Sequence, residues 1–312
     1  MTLAVIVPVS PFEDPSVLEE SIRHVKSLRA EKVVYVIDKN AENDVRIELA
    51  RKMGVEVVER VGRRGKRAGA INDAVKYLSK FKPEFVLIMD VDTRIDERTV
   101  NACISALLAD QGAYMASARR YIYNAKNLVS ETVEAEYRLI NFLLSKSAFK
   151  QFNGMIGVLR YDILCEGLNE DAMAEDADFA TRMHALGRRA LLVDGKVLEQ
   201  APYSWRDFYS QRKRWYFGGL QLWRYRKEMK RAARSLRISW YLAITVTYFP
   251  IIMLPLIPLS IPLILAHYRR ISKLKVFLGL VIYVFVLQAS AISAFFDYLR
   301  RKEVEWNAIK RA

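Results

Sequence analysis

FVLIMDVDTRID, residues 85–96, is the stretch around which the chain is organised. Its first residues are apolar and predict a buried strand, which ends at two carboxylates, Asp90 and Asp92. In an open α/β sheet, ligands bind beyond the carboxyl ends of the strands. Alternate residues of an extended chain point the same way, so Asp90 and Asp92 are predicted to share one ligand. Because Mg²⁺ is usually held by one or two carboxylates plus substrate phosphates, the pair predicts a cation site. The alternative is that both acids only cap the helix expected from Glu97 onward.

The residues around this stretch alternate between strand patterns and helix patterns. Predicted strands cover residues 4–9, 33–37, 55–58, 85–89, 113–118 and 190–193, with a Gly-containing strand or turn at 152–159. Predicted helices cover residues 15–28, 43–53, 126–149 and 174–186. A Gly-rich basic loop at residues 60–72 follows the third strand. The alternation predicts an α/β fold whose parallel sheet is covered by helices on both faces.

The basic charge of the chain is concentrated in its C-terminal third. Residues 1–202 hold 29 Lys and Arg against 30 Asp and Glu, whereas residues 203–312 hold 20 against 5. Because the same third contains long apolar runs, this excess indicates an anionic membrane surface and argues against nucleic acid as a partner. The two cysteines, Cys103 and Cys165, have no metal-ligand spacing. With no secretory signal at the N-terminus, the soluble part is expected in the cytoplasm.

Two apolar runs, residues 238–266 and 276–296, contain no charged residue. Both exceed the roughly 18–20 residues needed to cross the hydrocarbon core, so we predict membrane segments. The preceding residues 203–237 mix Trp, Tyr and Phe with Arg and Lys, which predicts amphipathic helices in the membrane interface.

The topology of these runs stays open at the level of sequence. If both runs span, the connector HYRRISKLKV lies on the side opposite residues 203–237 and the tail 299–312. Its four cations then conflict with the tendency of basic loops to stay cytoplasmic. Prolines at 250, 255, 258 and 262 would kink or split the first run, and a re-entrant or broken segment would remove the conflict. We expect a cell-membrane protein, multi-pass or re-entrant, with its catalytic domain in the cytoplasm.

Five polar motifs occur in order along the chain, each after or beside a predicted strand. They are Asp38, the loop GKRAGAIN at residues 65–72, DVD at 90–92, AED at 174–176 and QRKRW at 211–215. Together they resemble the motifs of membrane-bound glycosyltransferases of family 2, in the branch with cellulose, chitin and hyaluronan synthases and ceramide glucosyltransferase. The resemblance covers residues 3 to 215. It implies a GT-A fold, which is a Rossmann-like nucleotide-sugar-binding domain, followed by interfacial helices and C-terminal transmembrane helices.

The resemblance assigns residues to the sugar donor. It implies Mg²⁺ or Mn²⁺ at the DxD pair, with the metal on Asp92 and with Asp90 nearer the nucleotide. Lys66 or Arg67 would add a cation beside the donor diphosphate, and the sequence leaves open which of them does so. Asp38 would bind the nucleotide base or ribose, although Lys39 follows it where the family has an acid or Asn.

The resemblance makes Asp176 the catalytic base, with Glu175 beside it among the donor-binding residues. An acceptor hydroxyl must lose its proton as it attacks the anomeric carbon, and a positioned carboxylate can take that proton. One displacement from the opposite face implies inversion at that carbon. Ala174 stands where the family has Thr or Ser. The alternative for Asp176 is a cap at the start of the helix predicted over residues 174–186.

Gln211, Arg214 and Trp215 resemble the acceptor-end motif QxxRW, and they are counted among the binding residues. The Trp215 ring would stack on a sugar, while Arg214 would reach the diphosphate. The alternative is that Trp215 is one more interfacial aromatic residue. Residues 152–154 resemble the loop that shapes the acceptor site.

We therefore expect three domains: a GT-A catalytic domain at residues 1–202, basic interfacial helices at 203–237 and membrane segments at 238–312. The expected activity is metal-dependent, inverting transfer from a nucleotide-diphosphate sugar, UDP-linked by preference, to a growing polysaccharide. Transfer of one sugar to a membrane lipid is the alternative, and a non-catalytic basic membrane-binding module is a remote one. The expected partners are the donor, a saccharide or lipid acceptor and membrane lipids. In a homo-oligomer, the membrane segments of further copies could help to enclose a channel for the polymer.

Overall fold

The computed structural model describes residues 2–302, and its centre is an eight-stranded mixed sheet. The strands are β1 (Leu3–Val9), β2 (Lys32–Asp38), β3 (Glu56–Arg60), β4 (Phe85–Ile88), β5 (Arg94–Ile95), β6 (Ala113–Ile122), β7 (Gly157–Arg160) and β8 (Arg189–Glu199). Their order in the sheet is β3-β2-β1-β4-β7-β6-β8-β5. The α/β fold class predicted from the sequence is confirmed.

Strand direction divides this sheet into two parts. β1 pairs in parallel with β2 and β4, and β2 pairs in parallel with β3. β7 runs antiparallel to β4 and β6, and β5 runs antiparallel to β8. The prediction of a parallel sheet was therefore right for the first four strands of the order and wrong for the others. The apolar pattern of a buried strand is the same in either direction, so the pattern could not reveal this.

Twelve α-helices are present in residues 2–302. They are α1 (Pro15–Lys26), α2 (Val45–Lys52), α3 (Lys66–Leu78), α4 (Glu97–Ala109), α5 (Leu128–Lys146), α6 (Tyr161–Leu164), α7 (Glu175–Ala185), α8 (Trp205–Gln221), α9 (Arg226–Arg231), α10 (Arg234–Thr245), α11 (Ser260–Tyr268) and α12 (Lys275–Leu299). Before some of these helices, a polar side chain accepts a hydrogen bond from the first N–H groups. Asp14 accepts from Ser16 N at 2.8 Å before α1, and Asp96 accepts from Thr99 N at 2.6 Å before α4.

The chain divides into two compact units. The sheet unit comprises Met1–Arg119 and Phe149–Leu198, and the helical unit comprises Arg120–Ala148 and Glu199–Ala312. The sheet unit has a core of buried aliphatic residues from β1, β2, β4 and α1, among them Val5, Ile22, Ile37 and Leu87. In the helical unit, Val133 and Tyr137 pack with Phe208 and Leu287. The domain limits predicted at residues 202 and 237 stay predictions.

The first predicted apolar run is broken in the structure. α10 ends at Thr245, and 3₁₀ segments at Val246–Tyr248 and Pro250–Leu259 separate it from α11. Proline lacks the N–H that an α-helix requires, which accounts for the break. Two segments are long and apolar enough to cross a membrane, Pro250–Tyr268 with 19 residues and Ile271–Leu299 with 29. Most of the predicted basic tail, residues 303–312, lies outside the described residues.

Candidate active site

The DxD pair lies in a tight turn at the end of β4. β4 ends at Ile88, and Thr93 N donates to the Asp90 carbonyl at 3.0 Å. The expectation that Asp90 and Asp92 project from an extended chain was therefore wrong. Asp92 is 6 % exposed, whereas the Asp90 side chain is 33 % exposed. The alternative role as caps of α4 also fails, because Asp96 fills that position.

Arg67 connects the carboxylates of two motifs in the sheet unit. Its Nε donates to Asp90 Oδ1 at 2.9 Å, and its Nη1 donates to Glu175 Oε1 at 2.9 Å. Its Nη2 donates to the Gly154 carbonyl at 2.5 Å. The structure thus brings together the basic loop, the DxD pair, the acidic pair of α7 and residues 152–154. Lys66 lies apart from this cluster: it is exposed, with Nζ 3.6 Å from Met173 Sδ.

These charges shift the protonation equilibria of the cluster. Burial alone would lower the pKa of Arg67, but the charges of Asp90 and Glu175 outweigh it and the pKa is raised. Burial raises the pKa of Glu175, and the Asp176 charge raises it further, while Arg67 opposes both. The cluster therefore keeps Arg67 charged and makes ionisation of Glu175 harder than in water.

Asp176 is half-buried in the first turn of α7 and binds the loop before β7. Its Oδ2 accepts from Gly154 N at 2.6 Å, and its Oδ1 accepts from Ala177 N at 2.8 Å. Ala174 is the N-cap residue of α7 and provides no side-chain bond, so Asp176 is not that cap. Gly154 adopts φ +64, a conformation that favours glycine, and a Cβ there would lie 3.2 Å from Asp90 Oδ2.

Asp38 ends β2 and is buried against Arg60, with Oδ1 accepting from Arg60 Nη1 at 2.6 Å. Burial raises the pKa of Asp38, while the charges of Arg60 and Arg63 oppose the rise. Arg60 also donates to Asp73 at 2.7 Å and to the backbone carbonyls of Arg64 and Lys66. A single buried guanidinium thus fixes the shape of the Gly-rich loop beside Asp38.

The Gly-rich loop leads into α3 at a helix start with no side-chain cap. Gly65, the N-cap residue, has φ 62 and provides no side-chain bond. A Cβ at Gly69 would overlap the Arg64 carbonyl oxygen and lie 2.7 Å from Arg60 Nη2, so this close approach requires glycine. Uncapped N–H groups at a helix start favour an anion.

Gln211, Arg214 and Trp215 all lie on α8 in the helical unit. Their spacing of three and four residues places them on one face of the helix. The Trp215 ring lies 4.0 Å from the guanidinium carbon of Arg212. Arg212 in turn donates to Glu136 of α5 at 2.5 Å, and this ion pair is almost completely buried. Burial raises the pKa of Glu136, and Arg212 opposes the rise.

Sequence reasoning missed three contacts that shape these sites: Arg60 with the loop carbonyls, Gly154 N with Asp176, and Arg212 with Glu136. Each joins residues distant in sequence or uses a backbone group, so no local pattern marks it. The glycines of the loop and of residues 152–154 were a signal of close backbone approach.

The carboxylates of the DxD turn fit a hard divalent cation. In residues 2–302 no cluster of three or more His, Cys, Asp or Glu side chains could hold a metal alone. Mg²⁺ typically uses one or two carboxylates and completes its shell with water and substrate phosphate. Asp90 and Asp92 are the residues that would provide the carboxylate part of such a shell, and a diphosphate would provide the rest.

Comparison with known proteins identifies the class. Residues 85–295 match the glycosyl transferase family group 2, and the chain belongs to this family of glycosyltransferases. It is 24 % identical over 262 residues to glucomannan 4-beta-mannosyltransferase 7 of Arabidopsis thaliana, covering 76 % of this chain and 47 % of that protein. It is 26 % identical over 264 residues to glucomannan 4-beta-mannosyltransferase 1 of Oryza sativa subsp. japonica, covering 78 % and 50 %. The chain thus spans about half the length of these curated relatives.

Solved structures share the fold. Residues 1–349 of S. aureus TarS in complex with UDP match with a TM-score of 0.51 and 16 % identity, covering 99 % of this chain and 94 % of that one. A second structure of residues 1–349 of S. aureus TarS matches with a TM-score of 0.50 and 15 % identity, covering 98 % of this chain and 94 % of that one. The predicted GT-A fold is thereby confirmed.

Proposed function

We propose that this chain transfers a sugar from a nucleotide-diphosphate donor to a growing polysaccharide at the cytoplasmic face of a membrane. The cluster of Arg67, Asp90, Glu175 and Asp176 carries the proposal, because it joins a cationic group, a metal-type carboxylate and a candidate base. The names of the relatives, glucomannan 4-beta-mannosyltransferases, support a polysaccharide product. TarS, with a similar fold, has been solved with UDP, which supports a UDP-linked donor.

On the donor side, the nucleotide would bind along the carboxyl ends of β2 and β4. Asp38 lies where the base or ribose would bind, and the uncapped start of α3 would face the diphosphate. Asp90 and Asp92 would hold Mg²⁺ or Mn²⁺, which when bound neutralises charge on the leaving diphosphate. Arg67 adds a fixed positive charge beside Asp90, so we assign it, and not the exposed Lys66, as the cation of the loop.

On the acceptor side, Asp176 would take the proton of the attacking hydroxyl. As that oxygen bonds to the anomeric carbon, the bond from this carbon to the diphosphate oxygen breaks, and its electron pair leaves with the nucleotide. The Gly154 N–H fixes one Asp176 oxygen, which orients the carboxylate. Attack opposite the leaving group inverts the anomeric carbon. Trp215, held by Arg212, would provide a stacking surface for the acceptor sugar.

The test is to incubate membranes containing the chain with Mn²⁺ or Mg²⁺ and a panel of labelled UDP- and GDP-linked sugars. We expect label in a product that glycoside hydrolases degrade and organic solvent does not extract. If the label were found only in the solvent phase, the acceptor would be a membrane lipid and not a growing polysaccharide. Donor binding without transfer under every condition would contradict catalysis and favour a binding module.

A further inference from the structure

α12 presents one apolar face outward along its whole length. The exposed large residues of this face are Leu278, Ile282, Phe285, Ile292, Phe296 and Leu299. They recur at intervals of three, four and seven residues, which is one stripe of a helix. The opposite face, which includes Gly279, Leu287 and Ala294, is buried within the helical unit.

The buried face of α12 packs on two helices that carry charge, α5 and α8. Gly279 approaches Thr132 of α5 so closely that a Cβ would overlap its hydroxyl. Further along, the Tyr283 ring lies 5.3 Å from that of Phe208 of α8, and Ser290 Oγ donates to the Tyr209 carbonyl at 3.3 Å. α12 is therefore held along its length by α5 first and α8 afterwards.

Ion pairs join both ends of α12 to the same two helices. At the start, Lys273 and Lys275 lie 2.9 Å and 3.1 Å from the Glu131 carboxylate of α5. Near the other end, Asp297 lies 2.5 Å from Lys213 Nζ of α8. Between these points, Glu136 of α5 pairs with Arg212 of α8.

The segment Pro250–Tyr268 of the first apolar run also contacts these helices at both of its ends. Before it, the Tyr248 hydroxyl donates to the Tyr216 carbonyl of α8. At its end, the Tyr268 hydroxyl donates to Glu134 Oε2 of α5 at 2.9 Å. Both ends of this segment and both ends of α12 thus meet a pair of helices that carry charged side chains.

A helix that crosses a bilayer has its two ends in different aqueous phases. α12 has 25 residues and is long enough to cross. For it to do so with these contacts, α5 and α8 would have to lie alongside it inside the hydrocarbon. They carry Glu131, Glu134, Glu136, Arg138, Arg206, Arg212, Lys213 and Arg214. Charges at that depth are costly and rare, so spanning conflicts with the contacts.

We propose that both apolar runs are monotopic: they enter an anionic phospholipid bilayer from one side and return to that side. The exposed stripe of α12 then lies among acyl chains, while Arg269, Arg270, Lys273 and Lys275 lie at the headgroups with α5 and α8. Anionic headgroups attract such a basic connector. The basic connector HYRRISKLKV then stays on the cytoplasmic side of the bilayer. It therefore no longer conflicts with the tendency of basic loops to stay cytoplasmic. This inference goes beyond the proposed sugar transfer and does not require it.

Site-directed labelling in sealed membrane vesicles of known orientation tests the proposal. The background is the full chain with Cys165→Ser, which removes the exposed thiol and leaves the buried Cys103. Ser272→Cys marks the connector and Ser210→Cys marks α8, and both serines are exposed. A membrane-impermeant maleimide is added before and after the vesicles are opened with detergent. We expect both cysteines to react from the same side, with a ratio of labelling near one.

Reaction of the two cysteines from opposite sides would overturn the proposal. Protection of Ser272→Cys in both orientations would overturn it too, since the connector would then lie inside the bilayer. Flotation of the detergent-purified chain with vesicles gives an independent measurement: we expect several-fold more binding to phosphatidylglycerol-containing vesicles than to phosphatidylcholine alone. Equal binding to both would contradict the anionic partner. Neither readout depends on sugar transfer, so failure of the proposed activity would be seen separately.

Discussion

At the scale of single residues, Asp176 offers the clearest division between binding and chemistry. In Asp176→Asn the amide oxygen can still accept from Gly154 N, so the loop before β7 should keep its place. The amide cannot take a proton, and general-base catalysis contributes roughly 10²–10⁴-fold. We expect donor affinity to stay within about twofold while transfer falls by two or more orders of magnitude. Titration with the nucleotide and an initial-rate assay check this.

The matched control for that variant is Asp171→Asn, an exposed residue a few positions earlier in the chain. It should transfer sugar at nearly the wild-type rate. Near-normal transfer by Asp176→Asn would mean that another group takes the acceptor proton.

The ion pair of Arg67 and Glu175 should make the stability of the chain depend on pH. The Glu175 pKa is raised even with Arg67 present. A carboxyl group with a raised folded-state pKa contributes most to stability below its ordinary value of 4.5, and that contribution is lost as the pH rises. Arg67→Ala removes the group that opposes the rise. We expect the free energy of unfolding to fall by about 1–3 kcal/mol at pH 7. This loss lies between the values typical of exposed ion pairs and of buried ion pairs.

The loss should shrink near pH 4, where Glu175 is largely protonated. Adding Glu175→Gln to Arg67→Ala should recover part of the stability at pH 7. Chemical denaturation at the two pH values measures both effects, and Arg64→Ala, in an exposed ion pair of the same loop, is the control. Equal losses at both pH values would show that lost packing, and not charge, dominates.

At the scale of elements, the start of α3 depends on the backbone approach at Gly69. In an ordinary helix interior, Gly→Ala stabilises by about 0.8–1 kcal/mol. Here the added methyl group meets the Arg64 carbonyl and Arg60, so we expect Gly69→Ala to destabilise the chain and to weaken nucleotide binding. Thermal unfolding with and without UDP measures both. A stabilised variant with normal binding would show that the loop is not shaped by this contact.

The positions of the strands could be predicted from the sequence, whereas the direction of one strand and a long-range ion pair could not. The positions of β1, β2 and β4 followed from apolar runs, and the polar residues at their ends followed from the motifs. The direction of β7 could not be predicted, because the spacing of apolar residues is the same in parallel and antiparallel strands. The pairing of Arg212 with Glu136 could not be predicted either, since 76 residues separate them. Prolines predicted the break in the first apolar run correctly, because they act through local backbone geometry.

At the scale of the whole molecule, donor and cation should stabilise the fold together. A ligand that binds only the folded state adds about 2.7 kcal/mol at 100 times its Kd. We expect UDP with Mn²⁺ to raise the unfolding temperature more than either alone, and chelator to remove the gain. Asp92→Asn should lose this joint effect while its unliganded unfolding temperature stays close to wild type. An undiminished joint effect in Asp92→Asn would contradict a cation on the DxD pair.

The proposed mechanism depends most on direct displacement at the anomeric carbon, with one base and no covalent sugar intermediate. The measurement is the anomeric configuration of the first glycosidic bond formed from an α-linked nucleotide sugar, followed by NMR of an isotope-labelled product. We predict a β-linked product, formed by wild type and by Asp171→Asn and almost absent with Asp176→Asn. An α-linked product would contradict this mechanism, because a single attack from the face opposite the leaving group inverts the anomeric carbon.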